Sequence, residues 1–162
     1  QIGAQITGVD LSSPLSAEVR TEIHQALLHY LVVFFRDQTL QSKELHRAAS
    51  YFGQPAPYPF VDGIDGFPDI VEILKLPGET SNFGGVWHSD TAYLDSPAMG
   101  AMLYAIEIPP TGGDTLFADA TGAYAELSEG IKRTLENQQG IYSPKMVHGS
   151  GGHYARWQRN KI

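Results

Sequence analysis

Cysteine is absent from this 162-residue chain. That excludes disulfides, thiolate nucleophiles and cysteine-ligated metal sites. Any metal must sit on His, Asp or Glu, a donor set that suits iron better than structural zinc. Long apolar runs are lacking as well. The run Leu31 to Phe35 is strand-sized, far short of the ~18 residues of a membrane span. Nothing at the start reads as a signal peptide, so the expectation is a cytoplasmic protein without a membrane partner. Positive charge is scarce: 11 Lys and Arg against 18 Asp and Glu leave a formal charge of -7. Such a surface repels nucleic-acid phosphates. A small anionic substrate is not excluded, because a single Arg or a metal ion can dominate a pocket's field.

What is present fits one soluble globular domain: 42% hydrophobic and 18% charged residues, with length enough for a core. Charge is uneven. Residues 142–162 hold Lys145, Arg156, Arg159 and Lys161 and no acid, and they include Gly149, Gly151 and Gly152. We read this stretch as a flexible basic segment, a lid remnant or a disordered stretch rather than a nucleic-acid arm. Residues 1–141 form the domain proper.

The hydrophobic periodicity predicts a short strand within Gln1 to Val9, then a helix from Ala17 to about Tyr30 capped by Ser16, with Glu18 in its first turn. Val19, Ile23, Ala26, Leu27 and Tyr30 form its apolar stripe. Leu31 to Phe35 has the β-branched and aromatic profile of a buried strand. A second helix is expected from about Ser42 to Phe52, ending at Gly53. Gln54 to Phe67 and Pro77 to Gly85 read as loops. Strands are expected at Ile70 to Leu76, Met99 to Ile108 and Thr115 to Phe117, and a last helix from Thr121 to Asn137. Two helices preceding several short strands indicate an α+β domain whose sheet part is a sandwich or barrel.

The chemistry concentrates in Trp87-His88-Ser89-Asp90. In an extended segment, side chains two apart share a face, so His88 and Asp90 can converge on one ion. An imidazole and a carboxylate, joined by a second histidine from elsewhere, make the facial triad of non-haem Fe(II) oxygenases. An H-x-D triplet alone reads more readily as a surface histidine and a turn aspartate than as a metal site. Downstream lie Ser96-Pro97-Ala98-Met99-Gly100-Ala101 and Thr111-Gly112-Gly113-Asp114-Thr115-Leu116-Phe117. Upstream lie Ile2-Gly3-Ala4-Gln5-Ile6-Thr7-Gly8-Val9-Asp10-Leu11 and Val32-Val33-Phe34-Phe35-Arg36-Asp37-Gln38.

Together and in this order, these segments resemble the 2-oxoglutarate-dependent dioxygenases of the taurine dioxygenase and dichlorophenoxyacetate dioxygenase family. The resemblance runs to about residue 141 and fades after Ser143. It implies a double-stranded β-helix (jelly roll) with flanking helices, Fe(II) held by His88 and Asp90, and 2-oxoglutarate and O2 as co-substrates. It also implies that the Thr115 hydroxyl binds the 2-oxoglutarate carboxylate. Among substrate contacts it implies Tyr58, with Asn82, Trp87, Thr91 and Tyr93 around the triplet; as core aromatics, Trp87 and Tyr93 would be equally ordinary. The substrate menu is that of small organic acids: sulfonates, sulfate esters and aryloxyalkanoates. Taurine is disfavoured, since Pro55 and Gly84 fall where taurine-selective members carry His and Asn. Homo-oligomers are common in the family.

The family's distal histidine and co-substrate arginine have no counterpart in these residues. His148 and His153 lie in the tail rather than on a late strand. His24, His29 and His46 fall on helices, where structural roles suffice. The expectation is therefore a jelly roll whose C-terminal strands are missing from this stretch. Its alternative is a non-catalytic fragment or interaction module without a complete metal site.

Overall fold

Local capping decides where the elements begin. In the computed structural model, which describes residues 2–80 and 82–144, these elements are β1 (Ala4–Ile6), α1 (Ala17–Tyr30), β2 (Val33–Phe35), α2 (Ser42–Ser50), α3 (Ala120–Ala125) and α4 (Glu129–Leu135). The chain divides into two units. One comprises Gln1–Thr39 and Leu103–Gly140, the other Leu40–Met102 and Ile141–Ile162.

In the first unit, the Ser16 side chain accepts from Val19 N and starts α1 where the sequence places it. Glu18 sits in the first turn. Its carboxyl is held below the usual range by a hydrogen bond with its own backbone and then by one with the Ser16 side chain. The predicted stripe turns inward: Ile23 is buried, and Val19, Ala26 and Leu27 are half-buried, but Tyr30 is exposed. Leu31 does not begin a strand. It is the C-cap of α1, in the left-handed region (φ 65°), and its N–H reaches the Leu27 carbonyl at 2.8 Å. Helix C-caps commonly take that conformation.

β1 and β2 pair in parallel, in register Ala4–Val33, Gln5–Phe34 and Ile6–Phe35. Parallel neighbours require a crossover connection, and α1 provides it. Gln38 then locks the loop after β1. Its Oε1 accepts from Leu11 N at 2.8 Å, while Nε2 donates to the Val9 and Arg36 carbonyls at 3.1 and 2.9 Å. Leu11 is buried beside this clamp. Phe34 meets the Phe117 ring edge-on at 6.4 Å.

The single helix expected at 121–137 is two helices. Ser128 interrupts it, because its hydroxyl accepts from Ile131 N and starts α4 afresh. Asp119 caps α3 by accepting from Gly122 N at 2.7 Å.

The second unit is organised by α2, which ends at Ser50, two residues short of the expected Phe52. His46 Nδ1 lies 2.7 Å from Asp69 Oδ2, and the Phe67 ring packs 5.9 Å from the imidazole. These contacts hold a tight turn against the helix. At Gly63 a Cβ would stand 2.4 Å from the Pro68 carbonyl oxygen, so only glycine permits that approach.

Among the described residues, β1 and β2 make the only sheet. The strands expected at 70–76, 99–108 and 115–117 carry no ladder there. Leu103, Ile106, Ile108 and Leu116 are each at least 64% exposed. Alternation reports which faces a segment would bury; pairing also needs a neighbour to hydrogen-bond. Apolar surface on this scale calls for cover. No helix among the described residues is long and apolar enough to cross a membrane.

Candidate metal centre

The site lies in the second unit, on a bend between two short hydrogen-bonded turns. Upstream, Lys75 Nζ contacts the Asn82 side-chain oxygen, and Gly85 N donates to the Asn82 carbonyl at 3.3 Å. Gly84 takes φ of 71°, and a Cβ there would lie 3.4 Å from His88 Cε1. Downstream, Leu94 N donates to the Thr91 carbonyl at 2.9 Å, and Ala98 N donates to Thr91 Oγ1 at 3.0 Å. His88 and Asp90 occupy the span between these turns.

His88 Nδ1 is 2.6 Å from the Val86 carbonyl. A carbonyl only accepts, so Nδ1 donates its proton there and Nε2 is the nitrogen left for other partners. Nε2 is 3.1 Å from Asp90 Oδ1, a separation that a shared proton or a shared cation bridges. Metal-binding imidazoles characteristically donate their other N–H to a backbone carbonyl in this way.

The separation matches a metal as well. Two cis ligands of an octahedral ion, each about 2.1 Å from it, are about 3.0 Å apart. The donor set and its spacing therefore fit a divalent, open-sited iron, with Nε2 and one carboxylate oxygen on a common side. The side chains are 46% and 63% exposed. As a bare surface ion pair they would contribute only about 0–1 kcal/mol, so stability gives little reason for this arrangement. Among the described residues no third His, Asp or Glu joins them.

The expected substrate residues also fall in this unit. Tyr58 packs edge-on against Phe60 at 6.1 Å, and Phe60 packs on Tyr93 at 5.7 Å. The row ties the proline-rich loop to the segment just after Asp90. The Tyr93 hydroxyl is buried without a hydrogen-bond partner among the described residues. Trp87 is 70% exposed. Asn82 is engaged by Lys75, and Thr91 by Ala98.

Thr115 belongs to the first unit, exposed and outside any helix or strand. Just before it, Gly112 and Gly113 take φ of 76° and 74°, the left-handed values that this turn demands of glycine. His148 and His153 lie outside the described residues, as does the basic run from Lys145 onward.

Three contributors to the site escaped the sequence reading: the Val86 carbonyl, the left-handed Thr91 and the Ala98 N–H. Backbone groups leave no mark in residue identity. Gly84 was legible only as the residue in an expected asparagine position.

Comparison with known proteins places these features in context. The family described as "Taurine catabolism dioxygenase TauD, TfdA family" matches residues 1–161. An alkylsulfatase of Acinetobacter baylyi is 36% identical over 150 residues, covering 92% of this chain and 46% of that protein. An alpha-ketoglutarate-dependent sulfate ester dioxygenase of Pseudomonas putida is 30% identical, covering 93% and 49%. The chain thus spans about half the length of the curated relatives it matches. Among solved structures, a taurine dioxygenase from Burkholderia xenovorans superposes with a TM-score of 0.65 at 30% identity, over 84% of this chain and 48% of that one. AAD-2 in complex with Mn(II) and N-oxalylglycine gives 0.61 at 28% identity, over 83% and 46%.

Proposed function

This chain belongs to the taurine catabolism dioxygenase TauD, TfdA family, and from that premise we propose that it carries part of the active site of an Fe(II)- and 2-oxoglutarate-dependent dioxygenase. The observation that supports this most is the 3.1 Å separation of His88 Nε2 and Asp90 Oδ1, with Nδ1 committed to the Val86 carbonyl. The substrate class we favour is a small organic acid: a sulfate ester first, with sulfonates and aryloxyalkanoates behind it. The alkylsulfatase and the sulfate ester dioxygenase among the relatives support that order.

In this reading His88 and Asp90 would be the residues that hold the iron, with 2-oxoglutarate and O2 as co-substrates. Such a centre, when bound, supplies oxidative chemistry that hydroxylates the substrate as 2-oxoglutarate becomes succinate and CO2. The protein's own residues supply placement. Val86 fixes the imidazole tautomer and ring plane. Thr115 is the 2-oxoglutarate carboxylate donor, reaching it through its hydroxyl. Tyr58, Asn82, Trp87, Thr91 and Tyr93 contribute the substrate side. The Tyr93 hydroxyl, buried and unpartnered among the described residues, suits a polar oxygen of the substrate.

The fold we propose is an α+β jelly roll of which residues 1–141 are a part, and similarity to solved members supports it. A soluble, cytoplasmic setting and a homo-oligomer belong to the same proposal. The experiment is a succinate-formation assay of the full-length protein with Fe(II), 2-oxoglutarate and a panel of alkyl sulfates, sulfonates and phenoxy acids. Substrate-dependent succinate, fastest with a sulfate ester, is the expected result. Succinate formation that no panel member accelerates would count against the substrate class. No turnover of 2-oxoglutarate at all would favour a non-catalytic module.

A further inference from the structure

Beyond the ligands themselves, one residue controls the bend that carries them. Thr91 follows Asp90 directly and takes φ of 50°, in the left-handed region. A β-branched residue is an outlier there, and such conformations persist only where the surroundings over-determine them. Two hydrogen bonds do so here. The Thr91 carbonyl accepts from Leu94 N at 2.9 Å, and its Oγ1 accepts from Ala98 N at 3.0 Å, closing a loop seven residues long. The Asp90 carboxylate, by contrast, has only the His88 imidazole as a polar partner among the described residues. Apart from that contact no side chain braces it, which leaves the bend at 90 and 91 as its remaining support.

We propose that Thr91 is a positioning residue: its hydroxyl, by capturing the Ala98 N–H, locks the left-handed turn that keeps the Asp90 carboxylate within joint-ligand distance of His88 Nε2. The inference rests on the metal-site reading above. It gives the hydroxyl's acceptor side a structural task, beyond the substrate-side role considered for this residue. It also explains why a β-branched residue occupies a position that glycine or asparagine would fill with less strain.

The test uses the full-length protein and Mn(II) as the probe, with free Mn(II) followed by its paramagnetic resonance signal. Thr91→Val keeps the shape and removes the acceptor; it should weaken Mn(II) binding about tenfold, the effect of losing an outer support of a metal ligand. Thr91→Ser retains an acceptor and should restore binding to within about twofold of wild type on the same grounds. Ala98→Pro deletes the donor instead and should reproduce the valine loss, which carries the test if Thr91→Val does not fold. His88→Ala is the control. If His88→Ala abolishes binding while Thr91→Val and Ala98→Pro bind like wild type, this inference fails and the metal site stands. A serine variant as weak as the valine one would also overturn it. If His88→Ala itself leaves Mn(II) binding unchanged, the underlying site is wrong.

Discussion

The Val86 carbonyl accepts the Nδ1 proton of His88 at 2.6 Å, which leaves Nε2 facing Asp90 Oδ1 at 3.1 Å. From this pairing follows the first expectation. Asp90→Asn preserves size but removes the charge that a divalent cation would share. Mn(II) affinity should fall at least about 100-fold, beyond the 10- to 100-fold typical of outer-shell changes. Isothermal titration of the two proteins checks this, and equal affinities would contradict the ligand role.

Gly84 is the second point of leverage. Its φ of 71° strains any residue with a side chain, and a notional Cβ would stand 3.4 Å from His88 Cε1, in contact with the ring. Gly84→Val should cost about 1–2 kcal/mol in backbone strain and turn the ring away from Asp90. Weaker Mn(II) binding together with a lowered melting temperature is the expected pair of readings. Unchanged metal affinity would show that the ring is held without the glycine.

Tyr93→Phe separates two roles for one buried hydroxyl. Because that group has no partner among the described residues, its removal should leave stability unchanged or raise it by up to about 1 kcal/mol. If the hydroxyl meets the substrate, KM for the preferred organic acid should rise while 2-oxoglutarate binding stays the same. A clear loss of stability in denaturant titration would mean instead that the hydroxyl already has a structural partner.

In the first unit, Gln38 spans Val9, Leu11 and Arg36 through a single amide. Gln38→Leu would leave the Leu11 N–H and Val9 carbonyl to find water. A loss of about 1–3 kcal/mol is expected, read from the urea midpoint at constant slope.

The start of α1 gives a pH-dependent test. Ser16→Ala should destabilise by about 1 kcal/mol through loss of the cap. The Glu18 carboxyl is held below its usual value, so its contribution is present above the unfolded pKa, near 4.5, and disappears as pH falls through the lower folded value. Glu18→Gln should therefore be less stable than wild type at neutral pH and indistinguishable from it in strong acid. A difference that grows on acidification would reverse the sign.

The legible parts were those governed by local rules. Ser16 as a cap, the Val19–Ile23–Leu27 stripe and the glycine turn at 112–113 follow from side-chain chemistry within one turn of chain. The pairing of His88 with Asp90 was legible because a two-residue spacing suffices to place both groups on one side. What misled was non-local or backbone-borne. Leu31 looked like the start of a strand, yet its place one residue beyond the last turn of α1 made it a left-handed cap. Ser128 split a helix whose apolar spacing ran straight through it. Residues 99–108 have the composition of a strand, but composition cannot supply the neighbour that makes a ladder. The support of His88 by a carbonyl, and of Asp90 by the turn at Thr91, depends on backbone direction alone.

The most direct measurement is the visible spectrum of the full-length protein mixed anaerobically with Fe(II) and 2-oxoglutarate. A weak charge-transfer band that needs both Fe(II) and 2-oxoglutarate is expected, abolished by His88→Ala and by Asp90→Asn. A band that persists undiminished in both variants would place the iron elsewhere and remove the centre on which the functional reading stands.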